Sequence, residues 1–335
     1  MKKKIILALI FIFLATGFAW GKEFSKVGTV GAQFLKIGVG ARYVAMGEAS
    51  VATVNDAYSV YWNPASLTQL TSSHLIFTNV NWIEDVQLNY AAFAKPIGNS
   101  GAFGISLTVL STGEMEMTTV EKPDGTGNMF SASDYALTCG YARKLTDRFS
   151  FGVNAKYIHE RLSEETASGF ALDFGTLFYP GYNTLRIGMN ISNLGPELKL
   201  AGPELDVPYS PYPENSNYDN VKSKLTVEPY DLPLAFRIGL AYDLMPSVDS
   251  KITIALEAKH PNDNVQQASV GTEYVWKDMV ALRGGYKINY EEEGLSLGGG
   301  LKLKVGKKTD MEINYAWAGY NRLSSVHRFS LGFIF

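Results

Sequence analysis

From about residue 74 onward, apolar and polar residues alternate with period two in segments of about 8 to 13 residues, each bounded by turn-forming residues. In 250–260 one parity reads Ile252, Ile254, Leu256 and Ala258, and the other Lys251, Thr253, Glu257 and Lys259. One face is apolar and the other charged, so such a strand faces two different media. Val280, Leu282, Tyr286 and Ile288 stand against Arg283, Lys287 and Asn289 in the same way, and Met311, Ile313, Tyr315 and Trp317 against Glu312 and Asn314. Phe149, Phe151, Val153 and Tyr157 repeat it against Ser150, Asn154, Lys156 and Glu160. A soluble sandwich alternates too, so the pattern alone does not decide between the two.

About fourteen segments carry the pattern: 74–82, 86–95, 101–111, 134–145, 149–161, 167–179, 184–194, 233–243, 250–260, 265–276, 278–290, 294–305, 309–319 and 326–335. An even count closes a single-chain barrel, and alternate connections then lie at opposite ends. One set is short throughout: 96–100, 146–148, 180–183, 244–249, 277–278 and 306–308. Both long connections, 112–133 and 195–231, fall in the other set, as short periplasmic turns and long outer loops require. Tyr90, Tyr157, Tyr242, Tyr274, Trp276, Tyr286, Tyr290 and Trp317 lie toward segment ends, where an interface girdle needs amphipathic rings. The expected fold is all-β: a transmembrane antiparallel barrel of about fourteen strands with an N-terminal plug.

Composition explains why the membrane signal is hidden. The 335 residues include 32 Gly, 19 Tyr and 18 Phe, and mean hydropathy is near zero because apolar and polar residues interleave. Lys2, Lys3 and Lys4 precede an apolar run from Ile5 to about Phe18, with small residues around Gly21. That run is short of the roughly 20 residues a membrane helix needs and reads as a cleaved signal peptide, residues 1–21. A net charge of −3 leaves no basic excess for nucleic acid. The single cysteine, Cys139, permits neither an internal disulfide nor a multi-thiolate metal site and reads as a small apolar surface residue.

In the last segment Phe329, Leu331, Phe333 and Phe335 share one face, with Arg328, Ser330 and Gly332 on the other. An edge this apolar in a soluble protein would aggregate. It looks like the C-terminal signal of outer-membrane proteins, which implies delivery to the barrel-assembly machinery and an outer-membrane lipid environment.

Residues 22–73 lack strand alternation but carry Phe34, Leu35, Ile37, Val39, Tyr43, Val44, Tyr58, Val60, Tyr61 and Trp62. A disordered leader would not hold so many groups that require burial, so the segment is expected to plug the barrel formed by 74–335. Gly38, Gly40, Arg42, Met46, Gly47, Asn55, Asp56, Asn63, Pro64 and Ala65 mark it, and Asn63-Pro64 favours a turn. The run Gly31–Arg42, then Met46-Gly47, Asn55-Asp56 and Trp62–Leu67, resembles the start of the PorV/PorQ family of FadL-like barrels. Glu48 departs from it, standing where a small residue, usually Gly, is expected. The resemblance implies fourteen strands with an N-terminal hatch. It also implies either binding of secreted cargo or translocon components in type IX secretion, or uptake of a hydrophobic small molecule such as a long-chain fatty acid past a hatch around Asn63 to Ala65.

No enzyme constellation emerges. His159, His260 and His327 fall on the outward parity, and Ser324 or Ser325 beside His327 makes no recognisable triad. Asp124–Gly127 and Pro261–Asn264 lack calcium-loop spacing, and Gly38-Val39-Gly40 lacks the third glycine of a dinucleotide fingerprint. No catalytic, metal or cofactor site is expected. The inward parity holds Arg186, Arg237, Asp243, Glu257, Lys259, Glu273, Arg283, Lys287, Lys302 and Glu312. Mixed signs give no ion preference and argue against a continuously greasy tunnel. The outer connection 195–231 contains Pro203, Pro208, Pro211, Pro213 and Pro229 with Tyr209, Tyr212, Tyr218 and Tyr230, a composition suited either to protein contact or to a covering lid.

Overall fold

A computed structural model describes residues 26–98, 100–209, 221–306 and 308–335. The expected signal peptide, and Pro211, Tyr212, Pro213 and Tyr218 of the long connection, lie outside the described residues.

Fourteen antiparallel strands close into one barrel in sequence order. They are β1 His74–Asn81, β2 Gln87–Ile97, β3 Gly101–Ser111, β4 Ala132–Thr146, β5 Phe149–Leu162, β6 Glu165–Phe178 and β7 Arg186–Leu194. Then follow β8 Ala235–Ser247, β9 Ser250–Pro261, β10 Gln267–Trp276, β11 Val280–Ile288, β12 Glu293–Val305, β13 Thr309–Tyr320 and β14 Val326–Ile334. The seam joins first and last strands, from His74 opposite Ile334 to Asn81 opposite His327, and Ser73 and Phe335 exchange both backbone hydrogen bonds at 2.9 and 3.0 Å. Every strand thereby has two neighbours, which removes the unpaired edges that invite aggregation.

Alternation sorts side chains as the pattern requires. Ile254, Leu282, Leu297 and Phe329 point outward and are exposed on the wall, while Thr253, Glu257, Glu273 and Arg328 point inward and are buried. Leu331 and Phe333 share the outward side with Phe329, and Cys139 is an outward-facing free thiol. The ten charges of the inward parity lie on the same side of their strands as the buried residues. Two rings do not sit in the expected girdle. Tyr90 is buried and stacks on Tyr58 at 5.7 Å, and the ring of Tyr290 lies beneath the ammonium groups of Lys259 and Lys287 at 5.8 and 5.0 Å. Proximity to a strand end does not set the face; parity does. Tyr90 shares parity with the buried Leu88 and Ala92.

The core is neither a sandwich interior nor a layer of helices. It lies between the inward face of the wall and residues 30–70, whose aromatic centre of Tyr43, Tyr58 and Trp62 packs on Ile76, Leu88 and Tyr90. A second cluster sets Phe34 and Leu35 against Ile158, Leu198 and Leu232. The segment has two single-turn helices, α1 Ala41–Ala45 and α2 Ser59–Trp62, and 3-10 turns at Gln33–Lys36 and Pro64–Gln69. Asn63 caps the second 3-10 turn, its side-chain oxygen accepting from the Ala65 N–H at 3.1 Å, with Pro64 at the first helical position. Helices this short do not hold themselves; the wall holds them.

Both long connections lie at the end opposite the short turns. Each carries a small two-stranded ribbon, Met115–Glu116 with Met129–Phe130 in one and Asp206–Tyr209 with Val221–Lys224 in the other. Val30 bridges to Asp231 at this loop end, while Ser73 meets Phe335 at the short-turn end, so the N-terminal segment runs the length of the lumen.

Candidate functional site in the barrel lumen

Glycines on the inward parity let the segment reach the wall. A Cβ at Gly152 would fall on the backbone of Pro64 and Ala65, at Gly188 on Val51, and at Gly271 and Gly285 on Met46 and Gly47. Gly47, at φ 66°, donates its N–H to Ser296 Oγ at 3.1 Å, and Ala41 N donates to Ser330 Oγ at 2.9 Å. Asn63 donates to the carbonyls of Val51 at 2.7 Å and Thr176 at 3.0 Å, tying the Asn63–Ala65 turn to β6. Gly40, at φ 81°, opens α1, and the Gly38 carbonyl accepts from Arg328 Nε at 3.2 Å.

Charged contacts fix the same segment at three levels. Nearest the short-turn end, Arg42 forms a fork on Glu273 with Nε at 2.9 Å and Nη2 at 2.8 Å, and Arg283 Nε completes the cluster at 2.6 Å. Arg42 also donates to Asn55 at 2.8 Å, and Asp56 accepts from the Tyr43 hydroxyl at 2.6 Å and the Tyr58 N–H at 2.8 Å. At mid-lumen Glu257 accepts from the backbone of Ser50 and Val51 at 2.8 and 2.9 Å and pairs with Arg237 at 3.3 Å. Toward the loop end Lys287 binds Glu48 at 2.8 Å and also Glu293. Burial pushes the Glu48 carboxyl up, but Lys287, Arg237 and Lys259 together outweigh it and hold the group down at about 2.

The sequence-derived residues therefore divide. Arg42, Asn55, Asp56, Glu273 and Arg283 come together in one cluster; Glu257 and Lys287 each grip the segment; Arg237 pairs with Glu257 and lies over the ring of Trp62 at 5.0 Å. Arg186 with Asp243, at 2.7 Å, serves the wall alone. Lys302 gathers Asp278, Asp310 and Glu312 at 3.2, 3.7 and 4.0 Å near the short-turn rim. Lys259 forms no ion pair among the described residues and rests over Tyr290. Sequence reasoning missed Glu48 as an anchor and missed the Lys36–Asp263 pair at 2.7 Å, although Asp263 lies in the Pro261–Asn264 run weighed as a calcium loop. It also missed the inward role of Tyr230, read with the other loop tyrosines as suited to protein contact or to a covering lid, whose hydroxyl donates to Glu160 at 2.8 Å while Ala32 N donates to the other oxygen at 2.9 Å.

A cavity of about 280 Å³ opens at the short-turn end beside Arg42, Asp56, Lys251 and Lys302. Another of about 540 Å³ opens at the loop end. The outward histidines make local contacts only: His159 Nδ1 lies 2.8 Å from Ser168 Oγ, and His327 has Tyr315 OH at 2.7 Å and Ser325 Oγ at 3.4 Å. Among the described residues no group of three metal-binding side chains converges.

A closed fourteen-stranded barrel, apolar without and charged within, is an outer-membrane barrel. Solved structures agree. The CymD monoaromatic hydrocarbon channel superposes with a TM-score of 0.59 at 13% identity over 89% of this chain and 97% of that one. The toluene transporter TbuX of Ralstonia pickettii gives 0.56 at 14% over 89% and 97%, and a FadL homologue of Pseudomonas aeruginosa 0.55 at 12% over 89% and 98%. No curated protein matches in sequence. The family model described as type IX secretion system protein PorV matches residues 21–208, and the chain belongs to that family. It is an outer-membrane protein of type IX secretion.

Proposed function

We propose that the protein is a plugged docking barrel: residues 22–73 close the lumen of the barrel 74–335, and the outer loops bind a secreted polypeptide or a translocon component. Residues 1–21 serve as the export signal, and Phe329, Leu331, Phe333 and Phe335 as the signal to the barrel-assembly machinery. No catalysis and no cofactor are part of this reading. The observation that carries it is the anchoring of the N-terminal segment to three adjacent strands, β10 by Arg42–Glu273, β9 by Glu257 to Ser50 and Val51 and β11 by Glu48–Lys287, and across the lumen to β6 by Asn63 on the Thr176 carbonyl. A lumen committed to its own chain is ill suited to passage and leaves the outer face as the working surface.

The alternative, transport of a hydrophobic small molecule past a moving hatch, draws on the fold shared with hydrocarbon channels. One experiment separates them: affinity isolation of the tagged barrel from native membranes, with lipid extraction of the same sample. Co-isolation of a large translocon subunit or secreted cargo, without an enriched lipid, is the expected result. A stoichiometric fatty acid or other apolar ligand in a barrel free of protein partners would overturn the docking role.

A further inference from the structure

We infer that the loop-end cavity receives a lysine or arginine side chain carried on an apolar stretch of the bound polypeptide, an inference that rests on the docking function proposed above. The cavity, of about 540 Å³, lies between Phe34 and Ile37 of the N-terminal segment and Trp82, Leu110 and Tyr320 of the wall. Its wall residues sit where β1, β3, β4, β5, β12 and β13 reach the loop end, so it opens toward the outer face.

On one side of this apolar bowl, Asp134 of β4 and Glu160 of β5 stand directly opposite each other in register, both on the inward parity. Like charges so placed repel. Glu160 is met by two neutral donors, the Ala32 N–H and the Tyr230 hydroxyl. Among the described residues neither carboxylate has a basic partner within ion-pair distance. The other charges lining the cavity are already engaged: Lys36 with Asp263 at 2.7 Å, and Glu48 and Glu293 with Lys287. The bowl thus presents two uncompensated negative charges beside aromatic and aliphatic walls. A free metal ion would leave those walls unused, and an apolar ligand would leave the charges unmet. A basic side chain, with an apolar stem and a cationic head, satisfies both.

The test measures binding of the purified, refolded barrel to the C-terminal sorting domain of a type IX substrate, unmodified and with its basic residues changed to Gln. Asp134→Asn is the barrel variant because it is nearly isosteric and Asp134 holds no part of the N-terminal segment. The expected result is a roughly tenfold weaker complex for Asp134→Asn with the unmodified domain, and no further loss with the Gln-substituted one. The same affinity for the wild-type and Asp134→Asn barrels would overturn the inference and leave the docking function standing. No binding to the wild-type barrel would overturn the inference and the cargo arm of the docking function. The Gln-substituted domain is expected to lose the same roughly tenfold on the wild-type barrel, a loss that a folding defect in the variant cannot produce.

Discussion

Glu48 shows how one side chain can reverse the cost of its own backbone. It occupies the left-handed region at φ 64°, where a residue with a Cβ is strained by about 1–2 kcal/mol relative to Gly. In return its carboxylate binds Lys287 inside the lumen. Breaking a buried pair costs about 3–5 kcal/mol, and the low end applies because Glu293 still faces Lys287. The pair therefore outweighs the strain. Glu48→Gln, and also Glu48→Gly despite its relaxed backbone, are expected to loosen the N-terminal segment, read as faster proteolysis of 26–73 in the folded barrel. The pH dependence has a definite sign. With the group held at about 2 against the usual 4.5, its stabilisation is full above pH 4.5 and is lost as pH falls toward 2. Protease resistance of the segment should follow that window in the wild type and lose this component in Glu48→Gln.

At the scale of elements, the strands were legible, and of the segment they enclose only its burial and one turn were, not its helices. Each strand separates lipid from a wet lumen, so the period-two signal recurs around the barrel and its bounds lie within a few residues of those observed. The side on which a charge stands was readable for the same reason. The partners of those charges were not, because pairing across the lumen joins residues such as Arg42 and Glu273 that are 231 positions apart. Helices of four and five residues, α2 and α1, leave no periodicity to find. The turn at Asn63-Pro64 was visible because capping is local chemistry. The glycines at 271 and 285 were visible only as interruptions; their purpose is the approach of Met46 and Gly47. Gly271→Val should displace that stretch and raise single-channel conductance in planar bilayers, whereas the outward Ala155→Val should leave conductance at the wild-type level. Equal conductance in both would mean that the segment does not depend on this contact.

For the whole molecule, closure depends on a seam between β1 and β14, and its last rung is the pair of backbone hydrogen bonds between Ser73 and Phe335. Removing Phe335 deletes that rung together with the terminal outward aromatic. The expected outcome is a smaller fraction of heat-modifiable, folded barrel on denaturing gels, with the survivors otherwise wild-type in spectrum. An unchanged folded fraction would mean that the seam closes without it.

The lengthwise course of the N-terminal segment, from Val30 beside Asp231 to Ser73 beside Phe335, also bears on the order of events in folding. The aromatic centre around Tyr43 and Trp62 is synthesised before any of the wall that will surround it. That wall is complete only when β14 has joined β1, so these rings must wait through the making of every strand without a place to be buried. Loop closure over such separations is slow. The waiting period is when the chain is most open to aggregation, and it sets the interval over which a periplasmic holding chaperone would have to act.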